Sequence, residues 1–299
     1  MMKYHLYNPA MTETMKKLFL YLLMMVAAVL SGCTKDLTSD DEVNINNVKS
    51  DFMQVEAALE APAEGRTTLT DDGSGKVLWS EGDTIGAVSA DGVVTECAIE
   101  SVSGSTALFS VPTDTKYAIY PYSSTTTYNA ENGTLTHTLP SAITLDGSKR
   151  VFNDKENVMV AELASNKLPF RHLCGFIEVK LSGSQTVTGV TLRNNLMPWH
   201  PISGTGVIDL SDASNPKFTG DANHGKGFHW VDASCKNITL SQAEPTSFYF
   251  VVPAGEYDKL AITIKTTTGS YSVQSSSAIT VNRAKIRPLA TINVDQLAL

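Results

Sequence analysis

From Thr67 onward the chain is written in short runs of β-branched and aromatic residues, broken about every 8 to 12 residues by Gly, Asp, Asn or Pro. Lys76 to Trp79, Thr84 to Ser89, Val93 to Glu100, Thr106 to Val111 and Tyr117 to Tyr120 are such runs, punctuated by Glu81-Gly82-Asp83 and Ala90-Asp91-Gly92. No window of about 12 residues repeats apolar side chains at helical spacing. Ser and Thr make up about a fifth of the chain, which suits the solvent-facing positions of strands. The fold class is therefore all-β, and the spacing of the turns predicts β-sandwiches.

With 299 residues, 42% hydrophobic and 18% charged, the chain is long enough for two cores of ordinary size. A second set of runs begins at Leu168-Pro169-Phe170 and includes Gly175 to Leu181, Val187 to Leu192, Phe248 to Val252, Leu260 to Thr266, Ile279 to Val281 and Leu289 to Val294. The polar stretch Asn153 to Asn166, interrupted by Val158 to Ala161, places a boundary near Ser165, giving β-sandwiches over 67–165 and 166–299. Pro198 to Cys235, rich in Gly, Asn, His and Trp, reads as an irregular excursion of functional or variable character.

Ahead of these runs, Lys16-Lys17 is followed by thirteen apolar residues, Leu18 to Leu30, and then by Ser31-Gly32-Cys33. That is the layout of a secretory signal, and it is shorter than the roughly 20 residues a membrane-spanning helix needs. Leu30-Ser31-Gly32-Cys33 resembles a bacterial lipobox, which implies a signal over 1–32 with Met15 as the true start, acylation of Cys33, and a place at the outer membrane and cell surface. Two or three acyl chains hold a protein on a bilayer without help from its surface. Thr34 to Glu42 resembles the acidic tethers of surface lipoproteins in Bacteroidetes, and it reads equally as a solvated linker.

The formal charge is -8, and removing 1–32, with three bases and one acid, leaves 20 bases against 30 acids, or -10. An acidic chain without a basic stripe argues against nucleic acid as partner. Cys97, Cys174 and Cys235 show no CxxC and no regular spacing, so one pair plus a free thiol and three buried thiols both stay open. HExxH, GxSxG, GxGxxG and Walker patterns are missing, so no enzyme is expected and no cofactor is implied. His224 and His229 are the one close histidine pair of the mature chain, without Cys or carboxylate at ligand spacing, and no metal is expected there. Trp79 ends an apolar run and is expected in the core, whereas Trp199 and Trp230 lie in the irregular stretch and are candidates to stack a sugar ring.

Six segments occur in order behind the lipobox: Trp79-Ser80-Glu81-Gly82-Asp83-Thr84-Ile85, Tyr117 to Tyr122, Val158 to Ala161, Leu168-Pro169-Phe170-Arg171-His172, Phe248 to Tyr257, and Asn282-Arg283-Ala284-Lys285-Ile286. Together they resemble the fimbrillin-type pilus lipoproteins of Bacteroidetes, also described as cell-adhesion lipoproteins. The resemblance implies two transthyretin-like β-sandwich domains in tandem. It implies an arginine-specific protease that removes an N-terminal strand, and assembly with other pilus subunits by donor-strand exchange. Mapped here, the removable segment is 33–66, with Arg66 as the scissile residue after the strand-like Phe52 to Leu59. Only Asp295 to Leu299 follows the last strand-like run, which points to a tip or accessory component or an adhesin rather than a shaft subunit. Its partner would then include a host or bacterial surface ligand. The alternative is a glycan-binding outer-membrane lipoprotein with Trp199 and Trp230 as its platform.

Strand loss has its own physics. It exposes a row of backbone donors and acceptors and about four apolar pockets, on the order of 10 kcal/mol at ~1.5 to 3 kcal/mol per side chain. Such an edge templates another strand, and head-to-tail exchange that does not close makes fibres.

Overall fold

A computed structural model describes residues 51–60, 78–145, 150–151, 157–194, 201–220 and 227–297. Among the described residues, apart from one helical turn, α1 (Val294–Leu297), the regular structure is all strand, in agreement with the all-β reading.

The N-terminal part is a closed barrel. Going round it, β1 (Phe52–Leu59), β11 (Lys167–His172), β10 (Met159–Glu162), β5 (Thr115–Tyr120), β2 (Thr84–Ser89), β3 (Val94–Ser103) and β4 (Thr106–Pro112) are hydrogen-bonded in turn, and β4 returns to β1. Period-two alternation sends Val55, Ala57, Ile85, Ala87, Phe109, Val111, Ala118, Tyr120, Leu168 and Phe170 inward to one core. This closure departs from the open sandwich expected over 67–165: β1 precedes that range and β11 follows it, and together they join what would have been its two free edges.

Trp79 plugs this barrel. Its ring is 4% exposed and meets Phe109, Tyr120 and Phe170 edge-on at 5.2–5.4 Å between centroids. The following Ser80-Glu81-Gly82-Asp83 turn seats it: Gly82 takes φ +90°, the Ser80 amide donates to Asp83 Oδ2 at 2.8 Å, and the Tyr120 hydroxyl donates to Asp83 Oδ1 at 3.0 Å. Trp79→Ala is expected to lower stability by about 4 kcal/mol in urea titrations. Trp79→Phe should cost far less, because it keeps the edge contacts and removes an indole N–H that is buried without a hydrogen-bond partner.

The C-terminal part is a sandwich. One sheet has the order β23 (Ile286–Pro288), β12 (Cys174–Ser182), β18 (Thr246–Pro253), β9 (Arg150–Val151), with β24 (Ile292–Asn293) also on β12. The other has the order β21 (Ser270–Gln274), β20 (Leu260–Thr266), β13 (Thr186–Asn194), β17 (Trp230–Thr239), β8 (Ala142–Leu145). Ile177, Val179, Leu181, Phe248 and Phe250 of the first interleave with Val190, Leu192, Val231, Ile262 and Ile264 of the second. A small pair, β19 (Gly255–Tyr257) with β22 (Ile279–Val281), flanks it.

A third sheet links the two parts, with the order β15 (Lys217–Gly220), β14 (Ser203–Asp209), β7 (Thr134–Leu139), β6 (Thr127–Asn129) and with β16 (Gly227–Phe228) on β14. Its Leu135, Leu139, Ile208 and Phe218 share a core with barrel residues Val88, Ile119 and Val160 and with Cys174, Phe176 and Val251 of the sandwich. β12 and β18 are therefore covered on both faces, which is why Phe248 to Val252 of β18 reads as a continuous apolar run, while β12 carries Glu178 and Lys180 among its apolar residues.

β14, β15 and β17 overturn the reading of Pro198 to Cys235 as irregular. The glycines there serve close packing inside strands: a Cβ on Gly206 would lie 2.3 Å from the Phe218 ring. At the other end, Leu289 to Val294 contributes only the two-residue β24 and the start of α1, with Val294 fully buried in the sandwich core.

Candidate functional site

The candidate site is β1 and the groove that holds it. β1 pairs antiparallel with β4 over seven positions, from Phe52↔Pro112 to Ala58↔Thr106, and parallel with β11 over four, from Glu56↔Lys167 to Leu59↔Phe170. Met53, Val55, Ala57 and Leu59 turn inward, and Val55 and Ala57 are fully buried while Met53 and Leu59 are partly so. The expected four pockets are present, but one takes an alanine and two are half-open. Their apolar contribution is then about 5 kcal/mol rather than 10. Phe52, Gln54, Glu56 and Ala58 face outward, where Glu56 pairs with Lys167 at 3.3 Å and Gln54 Nε2 donates to Glu100 Oε2 at 3.0 Å.

Glu60, the next residue, closes the strand's C-terminal end. Its amide donates to the Phe170 carbonyl at 2.9 Å. Its carboxylate accepts from Arg171 Nη1 at 3.2 Å and from the His172 amide at 3.3 Å, and lies 3.7 Å from Arg283 Nη2. Three local features build this cluster. β11 carries Arg171 and His172 one residue apart, and the Asn282-Arg283-Ala284-Lys285 turn, with Ala284 at φ +54°, presents Arg283. Gly175 lets that turn approach, because a Cβ there would sit 2.2 Å from the Asn282 carbonyl oxygen. Glu60 and Arg283 also line a cleft of about 590 Å³ together with Lys217, Phe218, Glu256 and Asn282.

His172 lies behind the cluster, 3% exposed, with Nδ1 3.2 Å from Asn157 Oδ1. Burial lowers its pKa to about 4, Glu60 opposes that shift and Arg283 adds to it.

Cys33, Arg66, Trp199 and His224 lie outside the described residues. Trp230, at the start of β17, is half-buried, and the guanidinium of its cross-strand partner Arg193 sits 5.7 Å from its ring centroid. His229 Nδ1 is buried without a hydrogen-bond partner, and among the described residues no three His, Cys, Asp or Glu side chains gather as a metal site. Cys97, Cys174 and Cys235, on β3, β12 and β17, form no disulfide; the first two are buried and the third half-buried, and burial pushes the Cys235 thiol up to about 11. Glu60 is the site residue that sequence reasoning missed. The signal available was an acid one position past a four-residue inward alternation.

No family model matches the chain, and no curated protein matches it in sequence. Among solved structures it is similar to one described as a candidate cell adhesion protein of Bacteroides ovatus, at 10% identity and TM-score 0.46, over 80% of this chain and 91% of that one. A second, also described as a candidate cell adhesion protein, comes from Bacteroides uniformis, at 13% identity and TM-score 0.44, over 81% and 94%. A third is the tip fimbrial protein Mfa3 of Porphyromonas gingivalis, solved with its C-terminus truncated, at 9% identity and TM-score 0.32, over 75% and 80%. These three structural neighbours are described as candidate cell adhesion proteins and a tip fimbrial protein of Bacteroidetes, at low sequence identity.

Proposed function

We propose that the chain is a fimbrillin-like component of a surface pilus, or an adhesin, held at the outer membrane through an acylated Cys33. In this reading an arginine-specific protease cuts after Arg66, β1 leaves, and a strand from another subunit takes its place. The observation that carries it is the position of β1. It closes the barrel between β4 and β11, strands remote from it in sequence, and Arg66 follows six residues after Glu60. Removing it opens a groove with two unpaired edges, so a donor is zipped between strands rather than added to one edge. An all-β body whose barrel is completed by a strand near its N-terminal end suits a protein that works by exchanging backbone.

A tip or accessory role fits the C-terminal segment. Leu289, Ile292, Val294 and Leu297 pack against the sandwich core, and the Asp295 carboxylate accepts from the Ser184 amide at 2.9 Å and from Gln242 Nε2 at 2.8 Å. A segment so engaged by its own chain is not free to serve a neighbour.

The test is mass spectrometry of protein taken from its native cell surface, with gel analysis of its assembly. The expected result is an N-terminus at Thr67 in the assembled fraction, an acylated Cys33 in the unprocessed form, and loss of assembly in Arg66→Ala. An assembled or surface-resident protein that keeps 33–66 throughout would overturn the strand-exchange reading.

A further inference from the structure

We infer that the β1 groove selects an incoming strand that carries a carboxylate one residue beyond its last inward apolar side chain. The inference rests on the proposed loss of β1 and names the chemistry of the partner that replaces it.

The groove ends in positive charge. Arg171 and Arg283 both approach the position of the Glu60 carboxylate, at 3.2 and 3.7 Å, and among the described residues Glu60 is the carboxylate within ion-pair distance of both. Even with Glu60 in place the pair is undersupplied, because Arg283 Nη1 is buried with no hydrogen-bond partner. The side chains of Arg171 and Arg283 are 38% and 25% exposed, so water compensates them only in part. When β1 leaves, two guanidinium groups and the His172 amide lose their acceptor together. A charge left half-buried without its partner is costly, and a strand that supplies an acid there removes the cost. A strand ending in a neutral residue fills the pockets but leaves the arginines unpaired, and one ending in lysine adds a third positive charge.

The groove also fixes the strand's direction and register. An incoming strand must run antiparallel to β4 and parallel to β11 to bring its acid to Arg171, because β1 reaches it in that sense. Register is pinned at the third inward position, where Ala57 stands opposite Ala107 and beside Leu168, all at most 3% exposed, and a larger side chain would overpack. The occupant is therefore a segment of another subunit reading apolar, apolar, small, apolar at alternate positions, followed directly by Asp or Glu.

The test uses full-length protein with a site-specific protease sequence inserted after Arg66, so that nicking does not depend on the native cut. After nicking, fluorescent peptides spanning 51–60, amidated at the C-terminus so that residue 60 supplies the only acid there, compete with the resident β1: the native sequence, its Glu60→Gln variant and its Glu60→Lys variant. The substitutions lie in the peptide, so the protein's own folding is untouched. Capture of the native peptide is expected, with about 10- to 100-fold weaker capture for Glu60→Gln and weaker still for Glu60→Lys. Equal capture of all three would overturn the acid requirement while leaving strand exchange intact. Failure of every peptide to enter, with β1 retained after nicking, would overturn the exchange reading and this inference with it.

Discussion

Between pH 6.5 and pH 4 the folded protein is expected to lose on the order of 6 kcal/mol of stability. The source is two buried histidines. His137 on β7 is 3% exposed with Nδ1 2.8 Å from the Thr126 hydroxyl, and His172 on β11 is equally buried beside Asn157. Burial lowers both from 6.5 to about 4. The sign follows from proton uptake. Below pH 6.5 the unfolded chain takes up protons on these imidazoles that the folded chain refuses, so their contribution is complete above 6.5, falls as pH drops, and changes no further below about 4. Each histidine carries about 3 kcal/mol, which is large against the usual 5–15 kcal/mol of a folded domain. Asp91 and Asp209, whose pKa values are lowered by the Ser89 hydroxyl and the Ser211 amide, lose their stabilisation below the carboxylate range and so act at lower pH. Urea midpoints at pH 7.5, 5.5 and 4 check the prediction, and His137→Gln should remove about half of the slope. A midpoint that does not move over that range would contradict the burial of both rings.

The strands were legible wherever their side-chain pattern matched what covers them. Phe248 to Val252 stands out as a strand because β18 is packed on both faces, and Gly175 to Leu181 does so although Glu178 and Lys180 interrupt its apolar residues. Trp79 was legible as core because it ends an apolar run and precedes a Gly-Asp turn. Barrel closure was not legible. It depends on β4 and β11, two strands far from β1 and from each other in the chain, flanking it, and alternation in β1 says which face is buried but not which strands adjoin it. β14 and β15 were hidden for another reason: Gly204, Gly206 and Gly220 lower the apparent strand propensity, yet the fold uses glycine for close approach at Gly206 and Gly220 and for a positive φ at Gly204. The six resembling segments were each visible, but their convergence was not. Arg171 and His172 from one and Arg283 from another meet at Glu60, which belongs to none of them.

Val55→Asp is expected to detach β1 while the rest of the body stays folded. Val55 is 1% exposed and lies opposite Phe109, inside the core that also holds Trp79 and Phe170. The substitution removes about 2 kcal/mol of apolar burial and puts an unpaired carboxylate into that core, a combined cost of about 5 kcal/mol or more. This matches the roughly 5 kcal/mol of apolar contribution from the four inward side chains of β1. Releasing the strand into water therefore costs the chain no more than keeping it. The sandwich core, built from β12, β13, β17, β18 and β20, includes no β1 residue and should stay intact. Hydrogen exchange separates the two outcomes. The amides of Glu56, Leu59 and Glu60, which donate to Asn166, Ser105 and Phe170, should lose protection, while those of Phe176 and Leu240 should keep it. Gln54→Lys, on the outward face of the same strand beside Glu100, should leave all of them protected. Loss of protection throughout the body in a single step would mean that β1 cannot leave without unfolding the remainder. A strand of that kind could not be exchanged between subunits on a cell surface.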